Sequence, residues 1–143
     1  MTQPDTPEIP TWIALFRAQN RARSAIDKAL KSADLPALEQ YDLLWALEQA
    51  MPKGLRPFEL ESSVLLPQHG ISRLTSQMVK QNLLSRLTCA DDKRGFRLIP
   101  TETGLQLRQR MWAVYQPVIK RFFGEQLSVD EIRTLMPLLN RSG

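Results

Sequence analysis

Residues 57–99 read PFELESSVLLPQHGISRLTSQMVKQNLLSRLTCADDKRGFRLI, and the order of signals in this stretch decides the fold. Pro57 suits the first turn of a helix, where a missing N–H costs nothing. Phe58, Leu60 and Val64 are the expected core contacts of a short helix over 57–64. After Pro67 the pattern predicts a second helix over 68–81. Ile71, Leu74, Met78 and Val79 recur at spacings of three and four, and Gln68, Ser72, Arg73, Ser76, Gln77 and Lys80 fall on the other face. Asn82 follows, a residue that tolerates the left-handed conformation at helix ends. Residues 83–89 read as a strand, CADDKRG at 89–95 as a charged turn, and 96–99 as the returning strand. Helix, turn, helix and basic hairpin is the order of a winged helix-turn-helix. Its second helix fits the major groove of DNA, and its hairpin follows the backbone or enters the adjacent minor groove.

The flanks are helical. Residues 1–8 are polar, hold two prolines and are expected to form a tail. A helix follows over 9–32, with Trp12, Ile13 and Phe16 at one end and Ile26 and Leu30 at the other. Leu35-Pro36 opens the next helix, in which Leu38, Tyr41, Leu44, Trp45 and Leu47 share a broad face until MPKG at 51–54 ends it. Beyond the hairpin, Thr101 or Thr103 is placed to cap a helix over 104–123. Its apolar set is Leu105, Met111, Trp112, Tyr115, Val118, Ile119, Phe122 and Phe123. Pro117 inside it removes a backbone donor and is expected to bend the axis. Ser128 and Glu131 form a capping box for a last helix with Ile132, Leu135, Leu138 and Leu139. The fold class is therefore mainly α with a small β-hairpin wing. A single domain over 9–143 is expected, with a DNA-binding lobe at 35–100 and dimerisation helices at 9–32 and 103–140.

Composition limits the function. A chain of 143 residues, 43% hydrophobic and 24% charged, suffices for one packed domain. Its longest apolar runs are five residues, as at 111–115, too short to span a membrane. The opening MTQPDTPEIP has neither the basic patch nor the apolar stretch of a signal peptide. A single cysteine forms no internal disulfide, and a cytoplasmic location is expected. One histidine completes neither a hydrolase triad nor a metal cluster, and no glycine-rich phosphate loop is present. No catalytic residue, metal or cofactor is expected.

Charge is unevenly spread. Residues 67–110 hold eight basic and three acidic side chains, a net of +5, while residues 35–66 carry −3. A basic segment of this kind is a footprint for polyanions, although a solvated surface gives the same count. On the second helix, Gln68, Ser72, Arg73, Ser76 and Gln77 have the reach to meet base edges; Ser72 and Lys80 are expected on phosphate or sugar, with Arg73 open to either role. His69 is either a phosphate contact or a plain surface histidine. Lys93 and Arg94 occupy the predicted wing turn with Arg97 three residues on, and arginine at a wing tip gains from a narrow minor groove. Asp92 is expected to hold Arg94 or Arg97 in place. Cys89 reads as an inert thiol.

Residues 72–104 resemble the MarR family of bacterial transcriptional regulators. Ser72 to Arg86 is similar to the family's recognition helix and first wing strand, and Asp92-Lys93-Arg94 stands where the family has Asp-Arg-Arg. Pro100 to Gly104, PTETG, matches a leucine-threonine-x-x-glycine signature apart from its proline. Asn82 stands where glycine is usual, and Lys93 keeps the charge of an arginine without its fork geometry. The resemblance implies a repressor that binds a pseudo-palindromic operator as a homodimer, with Arg94 as wing arginine and Ser72 and Arg73 facing DNA. A winged-helix protein-interaction module without operator recognition is the alternative.

The terminal helices carry more apolar surface than a winged core requires. Ile9, Trp12, Ile13, Val118, Phe122, Ile132, Leu135 and Leu139 are the expected dimerisation residues. The resemblance also implies a small aromatic or phenolic effector between these helices and each lobe. Trp12, Phe16, Trp45, Trp112 and Tyr115 are candidate lining residues, and Arg17 or Arg21 is available to an anion. Each aromatic also reads as ordinary core.

Overall fold

In a computed structural model, residues 6–66, 69–89 and 92–141 are described, without the side chains of Cys89, Asp92, Lys93 and Arg94. The order is α1 (Glu8–Ser32), α2 (Leu38–Gln49), α3 (Pro57–Ser63), α4 (Ile71–Lys80), β1 (Leu84–Cys89), β2 (Asp92–Pro100), α5 (Glu102–Gly124) and α6 (Val129–Asn140). Mainly α with one antiparallel hairpin is the class the sequence predicts.

α2 organises the lobe. It packs against α1, α3, α5 and β2, and its Leu43, Leu44 and Leu47 are completely buried. Leu30 of α1, Leu60 of α3, Met78 of α4, Leu84 and Leu98 of the hairpin and Met111 of α5 close around them. Full burial of side chains of this size contributes about 1.5–3 kcal/mol each. The core runs out toward the chain ends. α1 has only Ile26 and Leu30 fully buried, and α6 has no buried residue.

Several boundaries shift, each for a local reason. α4 begins at Ile71 instead of 68, because Gly70 takes the left-handed conformation at φ +71° and breaks the register there. His69 lies in the preceding turn, and Gln68 lies outside the described residues. Asn82 adopts φ +61°, ending α4 as expected. The strand pairing is irregular toward the wing end. Cys89 pairs with Asp92 and Thr88 with Phe96, so β2 takes four steps where β1 takes one. Lys93 and Arg94 thus lie on the strand, in an irregular stretch, and not in the turn.

Thr101 caps α5, its hydroxyl accepting the Gly104 N–H at 3.0 Å and donating to the Asn82 carbonyl at 2.6 Å. Glycine is required at 104: a Cβ would collide with the Leu83 carbonyl oxygen and stand 3.2 Å from Leu44. The sequence signature therefore marks where α5 crosses the end of α4. α5 continues helical through Pro117. The Ser128–Glu131 capping box forms at the start of α6, with reciprocal bonds of 3.1 and 2.8 Å.

Candidate nucleic-acid interface

α4 divides cleanly by face. Ile71, Thr75 and Met78 enter the core, and Ser72, Arg73, Gln77 and Lys80 are exposed, with Ser76 at the margin. Spacings of one, three and four put these five polar groups on one side. His69 and Gly70 join Arg73, Leu74 and Gln77 on one wall of an open cleft of about 640 Å³, and Ala37, Glu39 and Gln40 form the other. One edge of the candidate reading helix thus faces the start of α2.

The chain is held just after α4 and also at Leu65 and Leu66, before it begins. At the C-terminal end of α4, Leu83 accepts the Thr101 N–H at 3.0 Å, and Thr101 bonds Asn82 as described. Ahead of its N-terminal end, the buried Asp42 carboxylate accepts the Leu65 N–H at 3.0 Å on Oδ1 and the Leu66 N–H at 2.7 Å on Oδ2. Sequence reading missed Asp42 because an acid on a mixed helix face looks solvated.

The hairpin contributes a residue that sequence reading left out. Arg86 of β1 donates to Ser76 Oγ at 3.4 Å, and its guanidinium carbon stands 5.2 Å from the Phe96 ring centroid. It joins wing to helix on the exposed side, as its place between Leu84 and Thr88 on the strand allowed. Arg97 points elsewhere. Its Nη1 lies 3.4 Å from Glu59 Oε1 of α3 and 3.5 Å from the Gly54 carbonyl, so it fastens the hairpin base to the lobe. Glu59 is thus a partner of Arg97, and the expected pairing of Asp92 with Arg94 or Arg97 falls on a side chain outside the described residues, as are those of Lys93, Arg94 and Cys89.

The seven effector candidates separate. Trp112 and Tyr115 of α5 gather around Tyr41 of α2, with ring centroids 5.0–5.9 Å apart. Trp45, one turn along α2, lies under Arg108 at 5.1 Å, and Arg108 pairs with Glu48 at 3.0 Å. Trp12 and Phe16 instead pair with each other at 5.6 Å near the start of α1. Arg17 is exposed, and Arg21 borders a cleft with Phe122 and Phe123. The cations acting on the aromatic group are Arg108 and Arg23. Burial raises the Tyr41 phenol, with Arg108 opposing; burial also raises Tyr115, which Tyr41 and Asp42 reinforce. Partial burial lowers the Arg23 guanidinium, but hydrogen bonding and charge from Glu39, 2.8 Å away, and from Asp27 leave it raised overall.

The expected dimerisation residues also divide. Ile9, Trp12 and Ile13 are 41–59% exposed, and Leu139 is 44% exposed. Phe122, Leu135 and Leu139 line an apolar groove against Ala14, Leu15 and Ala18, and Ile132 lies in the adjoining hollow. Val118 turns inward onto the lobe core. Among the described residues no group of three or more His, Cys, Asp or Glu is placed to hold a metal ion, and no helix is long and apolar enough to cross a membrane.

A lobe with an exposed polar α4, a hairpin beside it and long helices at both chain ends defines a winged helix-turn-helix protein with a separate helical base. The fold is that of MarR-type regulators. A mutant MarR from E. coli complexed with operator DNA superposes with a TM-score of 0.82 at 20% identity, over 99% of each chain. Sco3205, a MarR family transcriptional regulator from Streptomyces coelicolor in complex with DNA, gives 0.80 at 20% identity over 99% of this chain and 89% of its own. An uncharacterized HTH-type transcriptional regulator of Bacillus cereus is 26% identical over 130 residues, 91% of this chain and 84% of that one. No family model matches the sequence.

Proposed function

We propose that this chain is a MarR-family transcriptional regulator that binds a specific double-stranded DNA sequence as a homodimer and acts as a repressor. The observation that carries the reading is the outward polar face of α4, Ser72, Arg73, Ser76, Gln77 and Lys80, in a fold shared with two proteins solved on DNA. Arg73 and Gln77 read base edges. Ser72, Lys80 and His69 position the helix on the backbone, with Gln68, Lys93 and Arg94 extending the contact. Arg97 holds the wing base.

Dimerisation supplies the second half-site. The apolar side chains at the start of α1 and along α6, Met136 at 63% and Val129 at 62% exposed among them, support a two-fold partner over the helical base. Two such lobes meet successive major grooves about 34 Å apart, matching a pseudo-palindrome. For an effector, the observations favour an aromatic anion at the Tyr41–Trp112–Tyr115 group, near Arg23 and Arg108, over the Trp12–Phe16 end. It releases DNA only if it binds one lobe spacing better than another.

Selection of bound fragments from a random duplex library tests the reading. An inverted repeat with half-sites one helical turn apart is expected, with affinity falling steeply as salt rises. Uniform retention of all sequences overturns it in favour of a generic DNA binder, and low retention at near-physiological salt with no selected motif overturns it in favour of a protein-interaction module.

A further inference from the structure

Residues 64–66, which follow α3, have no regular structure, and their backbone is held by side-chain hydrogen bonds. The backbone donors at Leu65 and Leu66 both end on one side chain, Asp42 of α2, which is only 5% exposed. Leu65 itself is 82% exposed, so its side chain does little to fix the segment. A carboxylate buried in this way is costly unless charge-assisted bonds satisfy it, and here each oxygen takes one. The arrangement resembles a helix cap turned sideways, with one helix bonding the backbone that leads into another.

We infer that Asp42 is a positioning residue for DNA reading: its carboxylate sets the approach of the chain into α4 and so the angle at which Arg73 and Gln77 meet base edges. The inference rests on the DNA-binding reading above. The opposite end of α4 is held independently, by Thr101 on Asn82 and Leu83. Ile71, Thr75 and Met78 keep the helix attached to the core in any case. Loosening Asp42 therefore leaves α4 folded and attached but free to tilt about its C-terminal tie. Base contacts need their geometry held, whereas phosphate contacts made by long cationic side chains tolerate a tilt. Loss of Asp42 is thus selective against specific binding.

Asp42→Asn tests this, since the amide keeps the shape but can accept only through its oxygen and turns a donor toward the second N–H. Affinity is measured at fixed salt for the selected duplex and for a scrambled duplex of equal length. A fall in folded fraction lowers both alike and leaves their ratio unchanged, which Leu107→Ala, a core truncation on α5, calibrates. The ratio is expected to fall about tenfold in Asp42→Asn and to stay put in Leu107→Ala. Amide hydrogen exchange at Leu65 and Leu66 is expected to be slow in the parent chain and fast in Asp42→Asn. An unchanged ratio with those amides released overturns the inference while leaving the DNA-binding reading intact, as do amides already fast in the parent. Failure of the parent chain to select any motif removes both.

Discussion

Arg108→Met tests whether the helical base and the winged lobe form one mechanical unit. Arg108 of α5 meets Glu48 of α2 at 3.0 Å, with side chains only 12% and 21% exposed, and covers the Trp45 ring at 5.1 Å. Breaking a fully buried pair costs about 3–5 kcal/mol, because the remaining charge stays desolvated. The residual water at Glu48 brings this to about 2–3 kcal/mol, and the lost cation–π contact adds about 0.5–1. Methionine keeps much of the aliphatic volume, so the net loss is about 3 kcal/mol. Urea unfolding at fixed protein concentration measures it, with the denaturant slope unchanged. In a double-mutant cycle with Glu48→Gln, the coupling should exceed about 1 kcal/mol. A second readout is independent of stability. Arg108 pulls the Tyr41 phenol down against its burial, so Tyr41 should ionise at higher pH in the variant. A loss below about 1 kcal/mol with no coupling and an unmoved tyrosine titration refutes the linkage.

Gly104→Ala forces a Cβ into the Leu83 backbone and should cost about 1–2 kcal/mol net, the overpacking term outweighing helix propensity; Gly124→Ala, with nothing within 4 Å, should gain stability or leave it unchanged in the same unfolding assay. The chain has two tyrosines, and burial raises both. Folding then favours the neutral phenols, so their contribution is complete below the ordinary tyrosine value of about 10 and is lost as pH rises through the raised folded values. Ultraviolet difference titration of native and urea-unfolded chain should show the native tyrosines ionising later, and coincident curves would exclude the buried cluster. Ile13→Glu changes a residue 41% exposed in the protomer and should leave its fold intact. In the proposed two-fold dimer it removes two buried side chains, about 3 kcal/mol, and sedimentation should show more than about a hundredfold weaker association. An unchanged association constant moves the interface off the start of α1.

The fold was legible where local chemistry acts alone. Period and punctuation give α3 nearly to the residue, whereas α2 starts at Leu38 and leaves Pro36 ahead of its first turn; Asn82 and Ser128 mark ends because their conformations or side chains serve the backbone beside them. Gly70 marked a boundary too, but an apolar period extended backward over it hid the turn. The wing shows the opposite limit: hairpin register depends on pairing across the strands, which a run such as CADDKRG does not encode. Arg97 was placed by its charge and sequence distance from Arg94, yet Glu59, 38 positions away, decides where it points. The aromatic candidates failed to converge for a similar reason. Trp12 and Ile26 both lie on α1, about 21 Å apart along its axis, so Trp12 cannot share a small pocket with groups packed near Ile26.

These long-range contacts share one element. α2 spends one face on the core, bears Tyr41, Trp45 and Glu48 against α5, and carries Asp42 to the connection ahead of α4. Asp42 follows Tyr41 directly, so a shift of α2 that reorders the aromatic group moves the carboxylate that holds Leu65 and Leu66 with it. The coupling needs no deformation of α4 itself. A displacement of α5 relative to α2 must either break the Arg108–Glu48 pair or carry α2 along, and a mostly buried pair makes the second course cheaper. The helical base and the polar face of α4 are therefore joined by two polar contacts on one helix, Glu48 and Asp42. Substitution at either should change how the lobe responds to the base without touching a residue on the polar face of α4.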